Sequence, residues 1–186
     1  GDGGGAQFNG ASVLTGSLFA RNTAVYDGGG AIFFGHSVAI TNAQFLTNTS
    51  GNDGGGAYSY YTATVRASRF ISNTALGASF GYGGGGHFDG GSFIADSLFS
   101  LNWAKRDGGG AYFYGTPMRS TQVSNTQFIS NSQSGASFSV PAFLEGVDFI
   151  GNTGACCAGL SSGAIAMTNT RFIANVATQG GGGGAS

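Results

Sequence analysis

Phe45-Leu46-Thr47-Asn48 and, 25 residues on, Phe70-Ile71-Ser72-Asn73 are two of seven Phe-x-x-Asn tetrapeptides in this chain. The others are Phe19/Asn22, Phe99/Asn102, Phe128/Asn131, Phe149/Asn152 and Phe172/Asn175, and successive Phe residues lie 26, 25, 29, 29, 21 and 23 positions apart. That period is too short for the common helical repeats, which need about 33 residues or more, and a leucine-rich frame is absent. Five positions before each Phe stands an apolar residue: Leu14, Ile40, Val65, Ile94, Val123, Leu144 and Met167. Three before it stand Gly16, Asn42, Ala67, Asp96, Asn125, Gly146 and Asn169, mostly types that tolerate a left-handed backbone, so a bend is expected there. Short apolar runs separated by such bends, with no amphipathic helical pattern, predict one rung of a parallel β-helix per repeat.

Stacking turns the linear period into columns, with neighbouring strands about 4.8 Å apart. The seven Phe rings are expected to form a core column, each burial favouring folding by about 1.5 to 3 kcal/mol. The seven Asn side chains are expected to form an amide ladder, since each can donate and accept along the stack. All 186 residues fall into this scheme, giving an all-β solenoid of about seven rungs as a single domain over 1–186.

Composition narrows the function. Thirty-seven glycines accompany only fifteen Lys, Arg, Asp and Glu, and the net charge is -1. Such a chain carries no electrostatic footprint for nucleic acid. No apolar run approaches the roughly 18 to 20 residues that span a bilayer, so no membrane span is expected.

A second motif, Asp-Gly-Gly-Gly-Ala, occurs at Asp2–Ala6, Asp27–Ala31, Asp53–Ala57 and Asp107–Ala111. The alanine position continues as His87, Ala136 and Ala158 in the remaining repeats, and Ala185 opens a further one. Gly-Gly-Ala-Ile at Gly29–Ile32, Gly-Gly-Ala-Tyr at Gly55–Tyr58 and Gly109–Tyr112, and the Phe-x-x-Asn tetrapeptides together resemble the repeat of the polymorphic outer membrane proteins. The alternation of the two motifs covers essentially the whole chain. It departs from the family pattern at Gly85-Gly86-His87, Ser134-Gly135-Ala136 and Cys157-Ala158-Gly159, and no outer-membrane barrel is expected within these 186 residues. The resemblance implies a right-handed β-helix and an extracellular or cell-surface protein used in adhesion or surface architecture.

The motif aspartates have two readings: a hard-cation site, for which Asp2, Asp27 and Asp53 would stack one rung apart, or turn caps that accept from the following glycine N–H groups. The second is preferred, and no metal or other cofactor is expected. If Ala31 and Phe33 point inward, strand alternation sends Ile32, Phe34, Tyr58, Tyr60, Phe88, Tyr112 and Tyr114 outward, a face too aromatic for plain solvent. These residues are the candidate contact surface for another copy of the chain or for carbohydrate. Cys156 and Cys157 are the only cysteines, open to a vicinal disulfide, to bridges with other chains, or to burial as small hydrophobes. The least repetitive segment, Ser79 to Asp89, places His87 and Asp89 where a site would be grafted, but one His near one Asp carries little catalytic weight.

Glycine-rich stretches at both ends, Gly3-Gly4-Gly5-Ala6 and Gly182-Gly183-Gly184-Ala185, lead to the expectation of uncapped ends and of a segment or subunit of a longer fibre. The combined expectation is a non-enzymatic structural or adhesive unit of an extracellular filament or surface appendage, assembling end to end and laterally. A carbohydrate-active or carbohydrate-binding β-helix, lyase-like in architecture, is the alternative.

Overall fold

A computed structural model of the chain describes all residues except 90, 116, 117, 156, 180, 181 and 186. The described residues contain no helix, and every strand pairs in parallel with its counterpart one repeat away. Three sheets of seven strands each run the length of the stack, starting with strands Ala6–Phe8, Ser12–Thr15 and Leu18–Ala20. A fourth side is made of two-residue strands, from Thr23–Ala24 to Val176–Ala177, with Ser132 bridging Trp103 to Thr153. The fold is a parallel β-helix of seven rungs.

Two bends flank the Phe strand of each rung. The residue three before each Phe has positive φ in all seven rungs, from Gly16 at 60° through Asn42 at 52° to Asn169 at 50°. A second bend, which composition does not mark, lies two after each Phe: Arg21, Thr47, Ser72, Leu101, Ser130, Gly151 and Ala174 all have φ between 53° and 61°. Most of these are not glycine, so each left-handed residue costs backbone energy that the stack must offset. What offsets it follows directly in sequence.

The Asn side chains from Asn48 to Asn152 are fully engaged. Asn73 Oδ1 accepts from both the backbone N–H of Asn48 (2.9 Å) and its Nδ2 (3.0 Å), while Asn73 Nδ2 donates to Asn102 Oδ1 and to the Phe45 carbonyl. The two short repeats, of 21 and 23 residues, keep the same geometry. Asn131 Nδ2 donates to Asn152 Oδ1 at 3.0 Å and to the Phe99 carbonyl at 2.9 Å, and Asn152 Nδ2 donates to Asn175 Oδ1 and to the Phe128 carbonyl, both at 2.9 Å. Shortening the repeat therefore removes residues from elsewhere in the rung and leaves the ladder in register. The pattern runs unbroken from Asn22 to Asn175. Asn48 also heads the Asn48-Thr49-Ser50 glycosylation sequon, yet it is buried with its amide hydrogens used in the ladder. A partial second ladder, unannounced by either motif, stands just before the Phe strand. There Ser68, Ser97 and Thr126 hydroxyls accept the N–H of Ala43, Ser68 and Ser97.

The seven Phe rings stack face to face, with centroids 4.6 to 5.1 Å apart and interplanar angles of 3° to 15°. A second inward column joins Phe8 to Phe33 and Phe88 to Phe113 and Phe138, interrupted by Ser59. Between them lie Leu14, Ile40, Val65, Ile94, Val123 and Leu144. The core is one continuous apolar column running through all the rungs.

The three glycines of the Asp-Gly-Gly-Gly-Ala motif do two different jobs. The first has positive φ (Gly28 65°, Gly54 62°, Gly108 64°). The second and third lie so close to the next rung that a Cβ on Gly29 or Gly30 would meet the carbonyl oxygen of Gly55 or Gly56. Strand register corrects two alanine assignments. Gly86, not His87, pairs with Ala57 and Ala111, and Leu160, not Ala158, pairs with Ala136. At the fourth rung a Cβ would collide with the ring of Phe88, which leans over Gly86.

Asn102→Ala in a middle rung strands the buried amide groups of Asn73 and the Phe70 carbonyl, and is expected to cost about 3 kcal/mol or more in urea denaturation, given about 1 to 3 kcal/mol per unsatisfied group. Asn22→Ala, where the ladder begins and burial is partial, costs less; equal losses at both sites would contradict a cooperative ladder. Phe70→Ala is expected to cost about 3 to 5 kcal/mol, and Phe19→Ala, whose ring is only partly buried, less in the same assay.

Candidate functional site

Burial divides the candidate residues into a scaffold and a surface. Asn48, Asn73, Asn102, Asn131 and Asn152 are completely enclosed, as are Phe45, Phe70, Phe99, Phe128 and Phe149. Only the end members of the two columns, Phe19 and Asn22 in the first rung and Phe172 and Asn175 in the last, are less than fully buried. None of the enclosed amides can meet a ligand, because their donors and acceptors are used within the stack. The ladder residues are structural, and any contact site must lie on the outward rows.

Strand alternation places two such rows on the first sheet. One holds Ile32, Tyr58, His87 and Tyr112 in register; the other holds Phe34, Tyr60, Asp89 and Tyr114. The expected aromatic face is therefore only partly a surface. Tyr60 and Tyr114 are exposed, by 41% and 53%, and Phe34 and Tyr112 are half-buried. Ile32 and Tyr58 are buried despite pointing outward, because the glycine turn preceding each strand folds back over it: Gly28 lies against Ile32 and Gly54 against Tyr58. Phe88 is 1% exposed for a different reason. The one-residue register correction at Gly86 turns Phe88 into the core and puts His87 in the outward row.

His87 is the centre of the face. It is 5% exposed, with Tyr58 and Tyr112 rings on either side at centroid distances of 4.6 and 5.1 Å. Its Nε2 lies 3.0 Å from Asp89 Oδ1, and its Nδ1 lies 3.4 Å from Asp53 Oδ2, an ion-pair distance without hydrogen-bond alignment. Burial alone would lower the imidazole pKa, but the two carboxylates outweigh it and raise it above the ordinary histidine value. Asp53 shows the converse. Burial would push its carboxyl up, yet His87 and the N–H groups of Tyr82 and Gly81 hold it below the usual value.

Those two N–H groups belong to the long insertion before the fourth rung. Asp53 Oδ1 accepts from Gly81 N at 2.7 Å and Tyr82 N at 2.8 Å, and Tyr82 stacks at 4.6 Å on Tyr112. One carboxylate thus ties the insertion to the buried histidine. Asp27 and Asp107 also cap forward, and Asp107 caps its own first glycine as well. Asp27 Oδ1 accepts the backbone N–H of Asp53, and burial raises its pKa. Asp107 accepts from Ser134 and Ser137 of the next rung as well as from Gly108. Asp148 is taken by Arg171 in a two-pronged pair with both contacts at 2.7 Å. Among the described residues no group of three or more His, Cys, Asp or Glu is placed to hold a metal ion. Cys157 is buried, and the disulfide reading involves Cys156, which lies outside the described residues.

Two adjoining depressions open over these rows. One, of about 420 Å³, is lined by Asp53, Tyr58, Phe80, Tyr82, His87 and Tyr112; the other, of about 570 Å³, by His36, Tyr61, Thr62, Gly115 and Arg119. Tyr60, Asp89 and Tyr114 line both, so the two form one groove. Arg119, Tyr61 and the insertion tip at Phe80 escaped detection in the sequence because none belongs to a repeated column. His87 and Asp89 were visible as a pair, but Asp53 could be joined to them only by stacking.

Burial of the phenols raises the pKa of Tyr58 and Tyr60, and that of Tyr112 to about 12, so these three side chains stay neutral through the physiological range. Compared with protein-family models, curated proteins and solved structures, the chain matches none.

The two shifts set a stability window. His87, with a raised folded-state pKa, contributes fully below its unfolded value of about 6.5 and loses that contribution as pH rises through the folded value. Asp53, with a lowered one, contributes above its unfolded value of about 3.9 and loses it as pH falls through the folded value. The melting temperature should therefore be highest in mildly acidic buffer and fall on both sides; His87→Gln should abolish the fall on the alkaline side, and an unchanged profile would contradict the buried imidazolium.

Proposed function

We propose that this chain is a non-enzymatic adhesive unit of an extracellular or cell-surface β-solenoid, and that its groove over the third to fifth rungs binds carbohydrate. The observation that carries the reading is the juxtaposition of Tyr60 and Tyr114, both exposed, with Asp89 beside Tyr114 and shared by both depressions. A sugar ring offers a face of C–H groups and a rim of hydroxyls. Aromatic planes match the first, and a carboxylate, a guanidinium and backbone groups match the second, which is the usual composition of a pocket that orients a polar ligand. The rigid ladders beneath hold these rings in place before the ligand arrives, limiting the ordering cost of binding.

A non-enzymatic role is supported by the state of the titratable groups. His87 is enclosed, with its Nε2 against Asp89 and its Nδ1 towards Asp53, so neither ring nitrogen faces the open groove. The repeat resemblance to surface proteins points to the extracellular setting, and no helix of the described residues is long and apolar enough to cross a membrane. Association of copies through the same exposed rings is the competing reading, favoured by the further exposure of Phe80 on the groove rim.

Screening the chain on a glycan array, followed by calorimetry, tests the proposal. Tyr60→Ala and Tyr114→Ala are each expected to weaken binding about ten-fold, equivalent to about 1.4 kcal/mol, with melting temperatures near that of the unmodified chain because both rings are exposed. Absence of any glycan binding together with concentration-dependent sedimentation that either substitution abolishes would replace glycan binding with self-association.

A further inference from the structure

We infer that the groove selects glycans bearing a protonated amino group over neutral and acidic ones. The inference rests on the carbohydrate reading of the groove and adds the chemistry of the preferred sugar.

Asp89 carries it. Its Oδ1 is held by His87 Nε2, its side chain lines both depressions, and Oδ2 makes no hydrogen bond to any described residue. The carboxylate is therefore fixed in position by one oxygen while the other remains available to a ligand. Next to it in register is Tyr114, and Tyr60 precedes it in the same row. A cation over a tyrosine ring is attracted to the π face, more strongly where water is reduced. An ammonium placed against Asp89 meets both kinds of partner at once.

The surrounding charge favours the same sign. In the smaller depression the carboxylates of Asp53 and Asp89 face a single imidazolium, leaving a net charge of about -1 when all three are ionised. Asp27 and Asp2, one and two rungs before Asp53, add to the negative field, which acts on the Tyr60 phenol together with Asp89. Arg119 lines only the larger depression, where its Nη1 lies 3.4 Å from Thr62 Oγ1. A uronate brought to Asp89 would meet like charge, and an acetylated amine would lose the ion pair while keeping the ring contacts.

The experiment is calorimetric titration of the full chain, in mildly acidic low-salt buffer, with three probes: oligomers of glucosamine, their fully N-acetylated counterparts, and oligogalacturonate. The expected result is binding of the amino oligomer about ten-fold tighter than the acetylated one, no measurable uronate binding, and loss of the preference as salt screens the pair. Asp89→Asn, which keeps an acceptor for His87, should bring the amino oligomer close to the acetylated one, with folding checked by its melting temperature. Equal or tighter binding of the acetylated or uronate probe by the unmodified chain would overturn the selectivity and leave the glycan reading standing. Binding of none of the three probes, nor of any glycan on the array, would overturn both.

Discussion

The geometry of this protein depends on one hydrogen-bond chain, the Asn ladder. Each interior amide, from Asn48 to Asn152, accepts twice from one neighbouring rung and donates into both, so that its polar atoms all have partners. A buried Asn out of register would lose several of these bonds at once, and unsatisfied polar groups inside a protein are costly. The ladder therefore locks the rungs together residue for residue, even between Asn131 and Asn152, where the intervening repeat is the shortest in the chain. It also maintains the left-handed backbone immediately before each Asn, which few of those side chains would adopt unaided.

With the rungs locked, the remaining columns follow. Phe rings four to five ångströms apart pack face to face because strand spacing leaves them no other arrangement. The glycines of the Asp-Gly-Gly-Gly-Ala turn answer to the same spacing, since their Cα atoms face the carbonyl oxygens of the next rung. At Asp27 and Asp53 the aspartate beginning the motif reaches forward to the next rung and accepts backbone N–H groups of the turn there.

The groove arises where this regularity breaks. At the fourth rung the insertion before Gly86 replaces a motif aspartate with Tyr82, and a histidine enters the row elsewhere occupied by Ile32, Tyr58 and Tyr112. Asp53, which would otherwise cap another aspartate turn, instead holds the insertion and the imidazole together. The exposed rings of Tyr60 and Tyr114 then flank a carboxylate whose position is set from below. A rigid scaffold with one irregular loop is a common way to place binding groups without disturbing the core.

The parallel stack, the Phe and Asn columns and the bend three before each Phe were legible in the sequence alone, because each recurs in every rung and stacking maps recurrence directly onto contact. Outward orientation was also legible for Phe34, Tyr58, Tyr60, Tyr112 and Tyr114, since a strand alternates side by side. Exposure was not, because whether Ile32 or Tyr58 meets water depends on a glycine turn folding over it from the preceding segment. Nor was the inward ring of Phe88, because a repeat with both an insertion and a substituted alanine offers two registers that differ by one residue and reverse every side chain. The tertiary structure alone decided which register held, and thereby brought His87 between Asp53 and Asp89: pairing fixed Gly86 opposite Ala57, and contacts between residues 28 to 34 positions apart leave no mark in any local pattern.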